Sequence, residues 1–193
     1  MSRPSQPGPP DEATCLALAE RYDVPAHVVR HSKMVCGVAL YLARRLQEQG
    51  LTLDAELIRA AALLHDLTKH FSFHRPLDHA LTGAKVLKKQ GYHRTASVVR
   101  QHVRVSASRP PGRVSEVEIV NYADKRVRED EVTTLDDRLD DIRRRYGRTP
   151  EALASLERFS AAIYQMEKEI FAVLPGGPDQ IMSLNAIEEC ERK

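Results

Sequence analysis

The chain has 193 residues, 42% of them hydrophobic, with no tryptophan, and its 29 basic and 27 acidic side chains leave a formal net charge of +2. That length fits one domain with tails, and an aliphatic, alanine-rich core favours close-packed helices over a β-sandwich. Balanced charge excludes a strong global basic field, so there is no strong nucleic-acid signal, and three scattered cysteines without a CxxC pair support neither a disulfide framework nor a thiolate zinc site.

Residues 1–10 (MSRPSQPGPP) are rich in Pro, Ser and Gly and are expected to be a disordered tail. There is no signal-type apolar segment there, and no stretch approaches the ~18 apolar residues of a membrane span. A cytoplasmic protein without a membrane partner is expected. Asp11 caps a first helix to about Tyr22, with Ala13, Leu16, Ala17 and Ala19 packing inward. Val24-Pro25 breaks it, and a second helix over 26–49 stops at Gly50. Its inward stripe is His31, Val35, Val38, Leu42 and Leu46; His27, one turn before His31, offers an alternative i,i+4 metal pair.

Asp54 caps a central helix that carries Leu57, Ala61, Leu64, His65 and Thr68 towards the core. Its run AAALLHDLTK (60–69) is small and apolar until His65-Asp66. Burying an imidazole and a carboxylate there is costly unless something pairs with them, and one metal ion would pair with both. Lys69, one turn on, reaches the same space. Residues 70–77 (HFSFHRPL) read as a loop. Asp78 caps a helix over 79–90 closed by Gly91, with His79 in its first turn and Leu81, Ala84, Leu87 and Lys88 packing. A helix over 93–103 sets Ala96, Val99 and His102 on one face, and 105–113 is a turn-rich connection.

Residues 114–131 read as a single helix, with Asp124 on a stripe of Val117, Val120, Val127 and Arg128. The segment DDRLDDIRRRY (136–146) is a charged helix with a thin seam of Leu135, Leu139 and Ile142, either a solvated face or an arginine-rich binding patch. Thr149-Pro150 opens a long helix to about Val173, and 175–193 forms a short helix or a frayed tail. No internal repeat or strand pair is visible.

Six residues share one property: His31, His65, Asp66, His79, His102 and Asp124 are metal-ligand types at apolar or helix-terminal positions. Imidazoles and carboxylates without thiolates suit Fe, Mn, Co, Ni, Zn or Mg. The set is too large for one tetrahedral site and suits two metal ions about 3.5–4 Å apart that share a bridging carboxylate. His74 competes with His79, whose helix-start context favours it; His70 and His93 read as surface histidines. Lys69 is the candidate to neutralise a phosphate oxygen, as a catalytic and substrate-binding group. Arg128 is the second substrate-binding candidate, whereas Lys125 and Arg126 point away from that face.

The order His31, His65-Asp66, His79, His102, Asp124 resembles the HD-domain phosphohydrolase superfamily in its small bacterial HDIG-type form. The contexts HSKMVCGVALYLARRL, AAALLHDLTK, DHALTGAKVL, VRQHV and IVNYADKRVRED carry the resemblance, over about residues 25–130. Leu67-Thr68 stand where the signature has its last two letters, which hold no ligand. The resemblance implies an all-α HD-domain helical bundle at 11–130, with additional C-terminal helices at 131–174 packing on it and the tail at 175–193. It makes His31, His65, Asp66 and Asp124 the four defining ligands. His79 and His102 become the extra ligands of binuclear members, and Asp66 the bridging, catalytic carboxylate.

The implied activity is hydrolysis of a phosphate ester or anhydride, of a nucleotide above all, through metal-activated water at a centre of two metal ions. The partner is then a small phosphorylated molecule, and the layout is closest to enzymes that split symmetric dinucleoside tetraphosphates. Three alternatives stay open: a mononuclear nucleotidase using only the four defining ligands, a mixed-valent di-iron oxygenase, and a non-catalytic nucleotide-sensing regulatory module. The helices after Asp130 are open to covering the site, forming a homodimer interface or completing the core.

Overall fold

Side-chain caps and glycine stops set the borders of the elements in the computed structural model, which describes residues 7–72, 78–103 and 114–192. Helix α1 (Glu12–Arg21) starts where the Asp11 carboxylate accepts the Thr14 amide at 2.8 Å. It buries Cys15, Leu18 and Ala19 and leaves Ala13 and Ala17 exposed, a face rotated by about one residue from the predicted stripe. Burying Leu18 in place of Ala17 removes more apolar area from water.

Helix α2 (Ala26–Glu48) is the long central element, and its stripe of His31, Val35, Val38, Leu42 and Leu46 is buried. It ends in a left-handed Gly50, φ +89°, where the Leu51 amide donates to the Leu46 carbonyl at 3.1 Å and the Gly50 amide to Gln47 at 2.9 Å. That pair of bonds satisfies carbonyls the helix would otherwise orphan.

Helix α3 (Ala55–Leu64), capped by Asp54, lies against α2 with Ile58, Ala60, Ala61, Ala62 and Leu64 fully buried. Small residues let the two backbones approach closely. A 3-10 turn (Lys69–Ser72) follows, then α4 (His79–Lys89), capped by Asp78, and α5 (His93–Val99). On α4 the packed residues are Ala80, Gly83, Ala84 and Leu87, whereas Leu81 is exposed. Helix α6 (Glu116–Asp124) opens with a capping box between Ser115 and Glu118.

The single helix predicted over 114–131 stops at Asp124. The chain then forms an antiparallel hairpin of β1 (Val127–Arg128) and β2 (Glu131–Val132), with Val127 opposite Val132. Its turn uses Glu129 at φ +58°, without the glycine or asparagine that marks such turns in sequence. Helices α7 (Leu135–Tyr146) and α8 (Pro150–Phe171) pack on each other, and α8 also touches α6. A 3-10 turn (Pro178–Ile181) leads to α9 (Ala186–Glu191), which lies directly on α2. A Cβ on Gly37 would stand 1.7 Å from the Ala186 carbonyl oxygen, so only glycine permits that contact.

Apart from the hairpin, the regular elements among the described residues are helices, as an all-α fold requires. The three cysteines are free and buried. No helix among the described residues is long and apolar enough to cross a membrane.

Candidate metal centre

Three helices end where the candidate ligands begin. Helix α3 stops at Leu64, α5 at Val99 and α6 at Asp124, each shorter than its predicted span. The last turn of a helix leaves carbonyls without intrahelical donors. His65 and His102 use them in the same way: His65 Nδ1 donates to the Ala62 carbonyl at 2.8 Å and His102 Nδ1 to Val99 at 2.7 Å. His31 Nδ1 donates to the Glu129 carbonyl of the hairpin turn at 2.7 Å. With their Nδ1 protons committed, the Nε2 lone pairs of all three are free for a cation, the arrangement that orients histidines as metal ligands.

Those Nε2 atoms converge on two carboxylates. His31 Nε2 lies 3.2 Å and His65 Nε2 3.7 Å from Asp124 Oδ1. Asp66 divides its oxygens: Oδ2 is 3.2 Å from His65 Nε2 and 3.9 Å from His31 Nε2, whereas Oδ1 is 3.4 Å from His79 Nε2 and 3.6 Å from His102 Nε2. His79 and His102 face each other with their Nε2 atoms 3.2 Å apart. Two overlapping clusters, His31–His65–Asp124 and His65–Asp66–His102, have ligand atoms close enough to hold a cation. His65 Nε2 is buried without a hydrogen-bond partner at the centre of both. An orphaned imidazole nitrogen facing two carboxylates fits a divalent ion.

The electrostatics agree. Burial alone would raise the carboxyls of Asp66 and Asp124, but the neighbouring imidazoles and ammoniums outweigh it. Asp66 is held well below the usual carboxylate range by His65 and Lys69, and Asp124 by Lys125 and His31. Burial pushes His79 down to about 4 and lowers His102 as well, so both imidazoles are neutral at pH 7 and able to ligate.

Lys69 lies beyond the end of α3, in the 3-10 turn, yet its Nζ reaches Asp66 Oδ2 at 2.6 Å. Lys125 is the residue that sequence reasoning missed. It is 4% exposed, and its ammonium pairs with the Asp124 carboxylate and donates to the His102 carbonyl at 3.3 Å. A helical wheel turns it away from the ligand face, but α6 has already ended there, so the wheel no longer applies. No periodicity could have signalled it.

Arg126 is fully buried as a structural clamp, donating from Nε to the Thr133 carbonyl at 2.9 Å and from Nη1 to the Tyr122 hydroxyl at 2.6 Å. Arg128 is half-buried on β1. No hydrogen bond or ion pair among the described residues joins it to the six. His27 and His93 are exposed and take no part, and the i,i+4 pair of His27 with His31 does not form. His70 is half-buried against Phe71, not a surface group. His74 and most of the 70–77 loop, like the 105–113 connection and most of the N-terminal tail, lie outside the described residues.

The HD domain family matches residues 28–129, just over half of the chain. A tRNA (cytidine(56)-2'-O)-methyltransferase of Thermoplasma volcanium is 32% identical over 95 residues, 49% of this chain and 26% of that protein. The same-named protein of Picrophilus torridus is 32% identical over 94 residues, 48% of this chain and 26% of its own length. An uncharacterized protein of Methanocaldococcus jannaschii is 31% identical over 78 residues, 40% of this chain and 45% of its own. The chain thus spans about a quarter of the two methyltransferases and under half of the third relative. No solved structure matches it.

Proposed function

The chain belongs to the HD-domain family of metal-dependent phosphohydrolases, and we propose that it hydrolyses a phosphate ester or anhydride of a nucleotide at a centre of two metal ions. The observation that carries this reading is the division of Asp66, one oxygen towards His65 and the other towards His79 and His102. A carboxylate with histidines at both oxygens suits a bridge. His31, His65 and Asp124 would hold one ion, His79 and His102 the other, and Asp66 both. Ions bound there would supply Lewis acidity for the phosphate oxygens and lower the pKa of water.

The protein's own groups do the rest. The Nδ1 bonds of His31, His65 and His102 fix their rings and tautomers. The Lys69 and Lys125 ammoniums now balance Asp66 and Asp124. Positive ions at those carboxylates would repel both lysines and free them for phosphate oxygens, Lys69 being the more accessible at 33% side-chain exposure.

Methyl transfer, named for relatives that share only a quarter of their length with this chain, is not carried over. Their link to tRNA is a reason to include RNA-derived nucleotides among the substrates tried. The test is elemental analysis of anaerobically purified protein together with phosphate release from a panel of nucleotides, dinucleoside tetraphosphates included. About two metal ions per chain and release from one nucleotide class support the reading. One ion supports the mononuclear alternative, and tight nucleotide binding without turnover under several metals supports the sensing module.

A further inference from the structure

Helix α5 ends at Val99, and the chain turns through Arg100 and Gln101 to reach His102. Its own backbone secures one side of that turn. The Arg100 amide donates to the Ala96 carbonyl at 3.0 Å, Gln101 to Val98 at 2.9 Å and His102 to Val99 at 3.4 Å. The carbonyls beyond the helix end have no following turn to donate to them. Side chains from α6 and the residue that ends it take that part. Asn121 Nδ2 donates to the Gln101 carbonyl at 2.9 Å, and Lys125 Nζ to the His102 carbonyl at 3.3 Å. Asn121 and Lys125 stand one helical turn apart, and both are buried.

The two holds differ in kind. The Lys125 ammonium also pairs with Asp124, so a cation entering between His31, His65 and Asp124 would repel it and loosen its hold on His102. Asn121 is neutral, and its bond does not depend on the charge of the cluster. The amide is kept at a cost: Asn121 is 1% exposed, and its Oδ1 is buried with no hydrogen-bond partner among the described residues. A leucine of similar size would avoid that cost. Apolar packing therefore does not account for the residue, whereas its bond to Gln101 does.

We propose that Asn121 is the positioning residue for His102 and thereby sets the affinity of the His79–His102 side for the second ion. This rests on the two-metal reading above. The Nδ1 bond to Val99 orients the ring of His102, and Asn121 fixes the backbone that carries it. Once the first ion displaces Lys125, Asn121 is the α6 side chain that still holds this turn. Groups that hold a metal ligand from behind are worth roughly ten- to hundredfold in metal affinity.

The test titrates the full chain with cobalt(II), reading stoichiometry and visible absorption, for the wild type, Asn121→Leu and Asn121→Ser. Asn121→Leu should weaken the second ion roughly ten- to hundredfold and leave the first within about threefold. Hydrogen exchange in chelator should quicken roughly five- to tenfold at the Arg100, Gln101 and His102 amides, with α2 and α3 unchanged. A second ion bound as tightly as in the wild type overturns the proposal, as does an equal loss for both ions or unchanged exchange at those amides. Should Asn121→Leu fail to fold, the same comparison is made with Asn121→Ser, whose hydroxyl stops one atom short of the amide nitrogen. A wild type that takes up fewer than two ions defeats the two-metal reading, and exchange in chelator still decides whether Asn121 holds His102.

Discussion

The ammonium of Lys125 rests on the carboxylate of Asp124, its own neighbour in the chain, and both side chains are buried. Lys69 does the same at Asp66. Each acid of the cluster thus carries a cation supplied by the protein, placed where a metal ion would compete with it. Lys125→Met removes one of these. Without metal the buried Asp124 loses its strongest partner, and stability should fall by about 2–3 kcal/mol. Saturating metal should restore most of the loss and bind more tightly than in the wild type. Thermal melts with and without metal check both effects.

Among the described residues, Asp66 is the carboxylate within 4 Å of all four histidines. Asp66→Ala should lose both metal ions and reduce phosphate release by on the order of a thousandfold or more, since water activation and charge stabilisation fail together. Metal content and turnover are measured on the same preparation, and a fully active variant rules the mechanism out.

His79 and His102 lie on the Oδ1 side of Asp66, away from His31. In a binuclear protein His79→Ala and His102→Ala should lower the metal content from about two ions per chain to about one. Unchanged stoichiometry in both variants would assign the chain to the mononuclear alternative.

The metal-free protein should lose stability in acid in two stages. Burial lowers His79 from 6.5 to about 4 when folded, so the unfolded chain takes the proton first. Its contribution is complete above about pH 6.5 and is lost as pH falls towards 4, by at most roughly 3 kcal/mol. Asp66 and Asp124 are held low when folded, so their contribution is present above the unfolded carboxylate range and is lost as pH falls below it. Melting temperature in chelator should therefore decline from about pH 7 downwards. His79→Ala should flatten the first part of that decline.

Gly37→Ala sets a methyl group into the Ala186 backbone. The helix cannot shift without breaking the α2 core, so α9 should detach, at about 3 kcal/mol or more. Hydrogen exchange would show protection lost in α9 first, while metal content, which depends on residues elsewhere, stays unchanged.

Much of the fold is legible in the sequence because its signals are local. Asp11, Asp54, Asp78 and Thr149 cap helices through their own side chains, and Gly50 and Gly91 stop them at positive φ. The apolar spacing of α2 identifies His31 as a buried exception. The errors fall where a long-range contact overrides periodicity. Residues 125–131 leave the helix predicted for them, and the hairpin formed there has a Glu129 carbonyl that meets His31, ninety-eight positions away. Lys125 enters the site through that departure.

The chain by itself determined the all-α class, the capped starts of most helices and six ligand-type residues at positions where burial is costly, because capping, periodicity and the penalty for buried polar groups act within a few residues. Tertiary structure alone decided that the six meet, that Asp66 faces two ways, and that Lys125 stands beside them. Those are distances between elements far apart in sequence, fixed by how α2, α3, α4, α5 and α6 pack, and no local pattern encodes them.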